Sequence, residues 1–193
     1  IILTAIFTSI FGGVNTLWDR RYGFMNKALS SPISRSSIAL GKMSAISLIA
    51  ALQASLIIGI ALAIGVNFPN PIMIAPIMAI VILFSLGFSG ISVMIAATAK
   101  SQETFWGMIN FLGMPLFMLS PALFPLELLP DWLAVIAKLN PVTYTVLLVR
   151  ELMTGVSEGG IPIILSLGVL MAFVLAMVAL ASYVFTREVN KPF

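Results

Sequence analysis

No charged side chain stands between Lys42 and Lys100, and most positions in that run are Ile, Leu, Ala, Val, Met or Phe. A helical bilayer crossing takes about 20 apolar residues, so the run holds two. The cluster Asn67-Phe68-Pro69-Asn70-Pro71 supplies a turn between them. Further apolar stretches lie on either side. Residues 1–17 sit near the lower limit of about 17 for a span, and 105–124 and 161–185 are longer. The pattern predicts five crossings, at 1–17, 43–66, 72–99, 105–124 and 161–185. Two segments, 18–42 and 125–160, depart from it, because their apolar positions recur at helical spacing among polar ones.

Composition sharpens this picture. Sixty per cent of residues are hydrophobic, 9% are charged and the mean hydropathy is +1.12. Soluble domains carry about 25% charged residues, and five apolar helices in 193 residues leave no polar shell to bury them. The expected class is an all-α polytopic membrane protein. The chain opens at Ile1 inside an apolar stretch, without a basic leader region or small-residue cleavage site. The expectation is a crossing that has lost its first residues.

Lys and Arg positions orient the crossings, because cytoplasmic loops collect positive charge. Alternation places Arg20, Arg21, Lys27, Arg35 and Lys42, then Lys100, then Arg187 and Lys191 on one side. The other side receives only Lys138 and Arg150. Segment 18–42 and the C-terminus are therefore expected in the cytoplasm, with 67–71 and 125–160 outside the cell.

Within 18–42, the stretch Trp18–Leu29 is amphipathic: Trp18, Tyr22, Met25 and Leu29 recur on one face of a helix. Arg20, Arg21, Asn26 and Lys27 fill much of the rest. Ser30-Ser31-Pro32 ends it, since proline lacks an N–H and disfavours helix in the residue before it. A new helix is expected from near Ser34 into the membrane. By spacing alone, 18–29 suits either a lipid-surface helix touching anionic headgroups or a docking element for a cytoplasmic partner. Within 125–160, Pro130 opens a helix carrying Trp132, Leu133, Ile136 and Leu139. Asn140 as N-cap and Pro141 as first residue open a second, stopping near Gly155. Trp132 and Tyr144 suit a membrane interface. This pair either lies in the interface or dips into the bilayer as a re-entrant pair.

Catalytic chemistry has little to work with. The chain has no Cys and no His, which removes thiolate sites, disulfides and the commonest general base and metal ligand. The acids Asp19, Glu103, Glu127, Asp131, Glu151, Glu158 and Glu188 all fall outside the predicted crossings. Gly41-Lys42 lacks the rest of a phosphate loop, with Ser36 where the first glycine belongs and Met43 in place of Ser or Thr. Neither a catalytic site nor a cofactor or metal site is expected in this chain. No ionisable residue lies inside a predicted crossing, whereas ion-coupled transporters keep such groups there. Asn15, Gln53 and Asn110 are expected to be interhelical hydrogen-bonding residues, and Gly87 and Gly90 with Ser85 and Ser89 to allow close helix approach.

Three stretches, in order, resemble one family. Trp18-Asp19-Arg20-Arg21-Tyr22-Gly23-Phe24 leads to Leu29-Ser30-Ser31-Pro32-Ile33-Ser34-Arg35 and on to Leu40-Gly41-Lys42. Next come Leu123-Phe124-Pro125-Leu126-Glu127-Leu128-Leu129-Pro130-Asp131-Trp132 and Leu139-Asn140-Pro141-Val142-Thr143-Tyr144, followed by Arg150. The chain resembles the ABC-2 type permeases, the membrane subunits of one class of ABC exporters. The resemblance implies six crossings with the first missing here, and two permease subunits, identical or homologous, forming the pathway. It implies a coupling helix resting on a separate ATPase subunit that binds ATP and magnesium. Trp18, Arg20, Arg21, Gly23, Phe24, Met25, Lys27, Leu29, Ser31 and Pro32 would form that contact. Pro125, Glu127, Pro130, Trp132, Asn140, Pro141 and Tyr144 would belong to an external re-entrant gate.

The expected function is thus the permease subunit of an ATP-driven exporter in the cell membrane, with no nucleic-acid partner. Two alternatives remain: an ion-coupled secondary transporter, and a membrane anchor or assembly protein without cargo.

Overall fold

The computed structural model describes residues 1–66, 70–122, 130–155 and 160–189. Among these residues there are helices and no strand. They are α1 (Ile2–Gly12), α2 (Val14–Arg21), α3 (Phe24–Leu29), α4 (Arg35–Ala63), a 3₁₀ turn at Pro71–Met73, α5 (Ile74–Thr98), α6 (Gln102–Met118), α7 (Asp131–Leu139), α8 (Pro141–Thr154) and α9 (Ile163–Glu188).

Three helical stretches are long and apolar enough to cross a membrane: Arg35–Ala63, Pro71–Thr98 and Ile163–Glu188. The segments Trp132–Leu139 and Pro141–Thr154 reach that length only as a pair, and they are bent by 83°. The protein is a multi-pass membrane protein. The predicted crossings at 1–17 and 105–124 appear as shorter helices. α1 gives way to α2 at Gly13, in a Gly12-Gly13 pair of poor helix formers. α6 ends at Met118, just after Pro115 removes an N–H from its last turn. α4 starts at Arg35, as expected from near Ser34: Ser34 Oγ accepts from the Ser37 N–H at 3.2 Å and caps it there.

α5 is the hub, packed against α1, α4 and α9. Its Ile77, Val81, Phe84, Phe88 and Val93 are fully buried. Lipid tails are as apolar as leucine, so burial against another helix gains little over burial in lipid. Close packing and interhelical hydrogen bonds must hold the bundle together. A Cβ built on Gly87 would meet the Phe173 ring at 2.8 Å, and one on Gly90 would meet the Met177 carbonyl oxygen at 3.1 Å. The expected close approach is therefore made against α9. Ser47 Oγ donates to the Ile82 carbonyl at 2.7 Å, and Thr8 of α1 bonds to Gln53 of α4. Asn110 differs from expectation: its amide donates to Trp106 of its own helix at 2.8 Å. Leu48, Leu52, Leu56 and Ile60 form the exposed stripe of α4, as Ile164 and Leu175 do on α9. These are the faces that lipid would solvate.

Candidate functional site

The segment 18–29 is two helices, not one. α2 carries Trp18 to Arg21, Tyr22 ends it, and Gly23 turns the chain at φ 77° before α3 begins. That φ lies in the left-handed region, where glycine has no Cβ to clash. The predicted stripe of Trp18, Tyr22, Met25 and Leu29 is therefore divided. Trp18, Tyr22 and Phe24 are exposed, as are Arg21 and Lys27, with Lys27 Nζ 5.8 Å from the Phe24 ring centre. Met25 turns inward and is 3% exposed. It is buried in a cluster with Ala39 and Met43 of α4, Val93 and Ala97 of α5, and Ala181 and Phe185 of α9, against which Leu29 also packs. Ser31 is half-buried and donates to the Ala28 carbonyl at 2.6 Å, while Pro32 is exposed.

Arg20 also differs from its expected outward role. Its guanidinium donates to the carbonyls of Ala96 at 2.9 Å and Ala97 at 2.6 Å. Those carbonyls belong to the last turn of α5, which has no intrahelical N–H to accept from. A cation at a helix C-terminus also complements the macrodipole. Half-burial lowers the pKa of Arg20, and the Glu188 carboxylate acts in the opposite direction. Asp19 beside it pairs with Lys42 of α4. The segment thus has an apolar, aromatic and basic outer face, and an inner side fixed to the bundle by Arg20, Asp19 and Met25. No local pattern around Arg20 signals this contact, whose partners lie 76 and 77 residues along the chain.

The far end of α6 carries the second group of expected residues. Pro130 precedes α7, where Trp132 is 68% exposed and Val135, Ile136 and Leu139 share its open side. Asn140, 5% exposed, bridges two helices: Oδ1 accepts from the Val142 N–H at 3.0 Å, and Nδ2 donates to the Leu116 carbonyl of α6 at 2.6 Å. Pro141 is the first residue of α8, which ends on Gly155 at φ 71°. Thr143 Oγ1 donates to Ala137 at 2.6 Å and Tyr144 Oη to Lys138 at 2.7 Å, fixing the bend. Arg150 donates to the Pro121 carbonyl at 2.9 Å. Pro125 and Glu127, with the rest of 123–129, lie outside the described residues, as do 67–69 and Lys191.

Between α1 and α6 lies a cavity of about 110 Å³ lined by Ile6, Phe7, Phe11, Asn110, Met114 and Phe117 among others. Its rim is aromatic: Phe7 and Phe117 are 5.3 Å apart between ring centres, and Phe11 and Trp106 5.6 Å. Among the described residues, no group of three or more His, Cys, Asp or Glu could hold a metal ion.

These features sit in a stretch that a known family covers. The sequence profile described as ABC-2 type transporter matches residues 1–154. The chain belongs to the ABC-2 type transporter family. Its relatives include the transport permease ycf38 of Pyropia yezoensis, 32% identical over 160 residues, covering 79% of this chain and 54% of that protein. The ycf38 permease of Cyanophora paradoxa is 30% identical over 152 residues, covering 76% and 52%. A protein of Escherichia coli strain K12 named as a multidrug ABC transporter permease, YbhR, is 26% identical over 147 residues, covering 74% and 39%. The chain spans about half the length of the ycf38 relatives. The family match includes both the segment 18–42 and the α7–α8 pair.

Proposed function

We propose that this ABC-2 family chain is the permease subunit of an ATP-driven exporter in the cell membrane. In this reading its five crossings are 1–17, 43–66, 72–99, 105–124 and 161–185. Segment 18–29 docks on a separate ATPase subunit, which holds the ATP and magnesium and performs all the hydrolysis. The α7–α8 pair is a re-entrant element at the outer end of the pathway.

One observation carries the proposal: segment 18–29 has two working sides. Its outer side offers Trp18, Tyr22, Phe24, Arg21 and Lys27 to a partner, and its inner side is held by Arg20 and Met25. A purely lipid-bound surface helix needs the outer side alone. An element that passes force between a motor and a bundle needs both. The clustering of Arg20, Arg21, Lys27, Arg35, Lys42 and Lys100 at this end supports a cytoplasmic placement.

In this reading a second permease chain, identical or homologous, completes the pathway. The cavity beside α1, about 110 Å³, is smaller than the roughly 300–1,000 Å³ of pockets for drug-sized ligands.

The test is co-purification of the chain with an ATPase subunit from detergent. Phe24→Asp should abolish association and leave the permease monodisperse. Association that survives both Phe24→Asp and Tyr22→Asp, or ATP hydrolysis by the purified chain alone, would overturn the reading.

A further inference from the structure

The geometry points to Arg20 as the positioning residue that transmits movement of the docking segment to α5; this rests on the coupling reading above. Arg20 stands on the last turn of α2, immediately before the Gly23 turn into α3. Both of its described bonds go inward, to Ala96 and Ala97. One guanidinium nitrogen, Nη1, donates to both carbonyls, from a planar group that a flexible lysine ammonium does not reproduce. A displacement of the end of α2 therefore acts on the end of α5 through two short charge-assisted bonds.

A second link lies one level deeper. The hydroxyl of Ser92 accepts from the Gly13 N–H at 2.9 Å and donates to the Ile10 carbonyl. α1 and α2 are thus tied to α5 at two heights and should move with it as one body. α4 and α9 pack on α5 along much of its length. α6 touches α1 and α5 over shorter stretches and leaves the cavity between itself and α1. Movement entering at Arg20 would be expressed where packing is weakest, between α6 and the rest, and would change that cavity. Arg20 acts through α5 and has no role in holding the ATPase.

The absence of cysteine from the chain makes the test direct, because introduced thiols are unique labelling sites. Spin labels on Phe111→Cys of α6 and Leu175→Cys of α9, both exposed side chains, would report the distance between the two bodies. The complex with the ATPase is reconstituted in nanodiscs, with labelled chain diluted in unlabelled chain, and trapped with ATP and vanadate. The chain with native Arg20 should change its distance distribution on trapping. Arg20→Gln should keep ATPase association but lose the change, with the shifted population reduced within the roughly 5- to 150-fold range of site-to-site coupling. Arg20→Lys should fall between them. A full shift in Arg20→Gln, or loss of ATPase association in it, overturns the role given to Arg20. If the Arg20→Gln permease is not itself monodisperse, Arg20→Lys decides: a native shift overturns the proposal and a reduced one supports it. No shift with native Arg20 in place would instead sink the coupling reading.

Discussion

The side-chain amide of Asn140 donates to the backbone carbonyl of Leu116 at 2.6 Å. The same side chain caps α8 through the Val142 N–H. One buried residue therefore satisfies an end carbonyl of α6 and an end N–H of α8. The bent α7–α8 pair is fixed to the tip of α6 rather than resting loosely beside it, so a movement of α6 would carry the pair with it.

Asn140→Ala should lower stability by about 1–3 kcal/mol, because it leaves buried backbone groups unpaired. Asn140→Asp keeps the acceptor for Val142 but sets carboxylate oxygen against the Leu116 carbonyl, and should fail to restore stability. Thermal unfolding in detergent separates the two. An Asn140→Asp protein as stable as the native one would show that the α6 contact contributes nothing.

Gly13 and Ser92 make the tightest helix approach described here. A Cβ on Gly13 would lie 2.1 Å from Ser92 Oγ and 2.6 Å from the Ser92 carbonyl group. Relief requires backbone movement, so Gly13→Ala should cost at least the roughly 1–3 kcal/mol of an overpacked core. Gly41→Ala is the control: it has open space around it on α4 and should gain up to about 1 kcal/mol in helix propensity. Unfolding temperatures of the two variants should move in opposite directions.

What the sequence disclosed follows the range of the interactions. α8 is bounded by local chemistry, with Asn140-Pro141 at its start and Gly155 at its end, and both are legible in a row of letters. Ser34 as the cap of α4 after Pro32 is equally local. Ser92 and Arg20 were opaque. A serine in an apolar run and an arginine beside another arginine reveal nothing of carbonyls that meet them from another helix. The expected single face of Trp18, Tyr22, Met25 and Leu29 failed for a related reason. Helical spacing is valid only while the helix continues, and Gly23 adopts a left-handed φ once Met25 is anchored among α4, α5 and α9.

Asp19 and Lys42 tie α2 to α4 with side chains 39% and 21% exposed. Half-exposed pairs contribute about 0–1 kcal/mol, so Asp19→Asn should have a small effect that shrinks as salt rises. The exchange Asp19→Lys with Lys42→Asp should restore most of the loss. Melting curves at low and high ionic strength would check both; a loss independent of salt would show that packing, not charge, is at work.

Glu103 lies in the first turn of α6, after the Ser101 cap. A hydrogen bond from its own backbone N–H, then one from Ser101, lowers its carboxyl pKa. A lowered folded-state pKa stabilises the fold above the ordinary carboxylate range, and that contribution is lost as pH falls through the lowered value. Full exposure keeps the effect small. Glu103→Gln should lose a small amount of stability at neutral pH, and the difference from the native protein should vanish as pH falls below the lowered pKa; a difference that persists unchanged in acid would refute it.

Gly23 offers the sharpest separation of docking from folding. It has open space around a built Cβ, so a side chain there would clash with nothing but its own backbone. At φ 77° an L-residue costs about 1–2 kcal/mol. Gly23→Ala should shift the segment towards one continuous helix from α2 into α3, the arrangement that would withdraw Met25 from its cluster. Gly23→Asn tolerates the left-handed region better and should do less harm. Neither change introduces a clash with the bundle. ATPase association should therefore weaken in the order native, Asn, Ala, while unfolding temperatures change by less than for Gly13→Ala. Equal association across the three would mean that the bend between α2 and α3 is not what a partner reads.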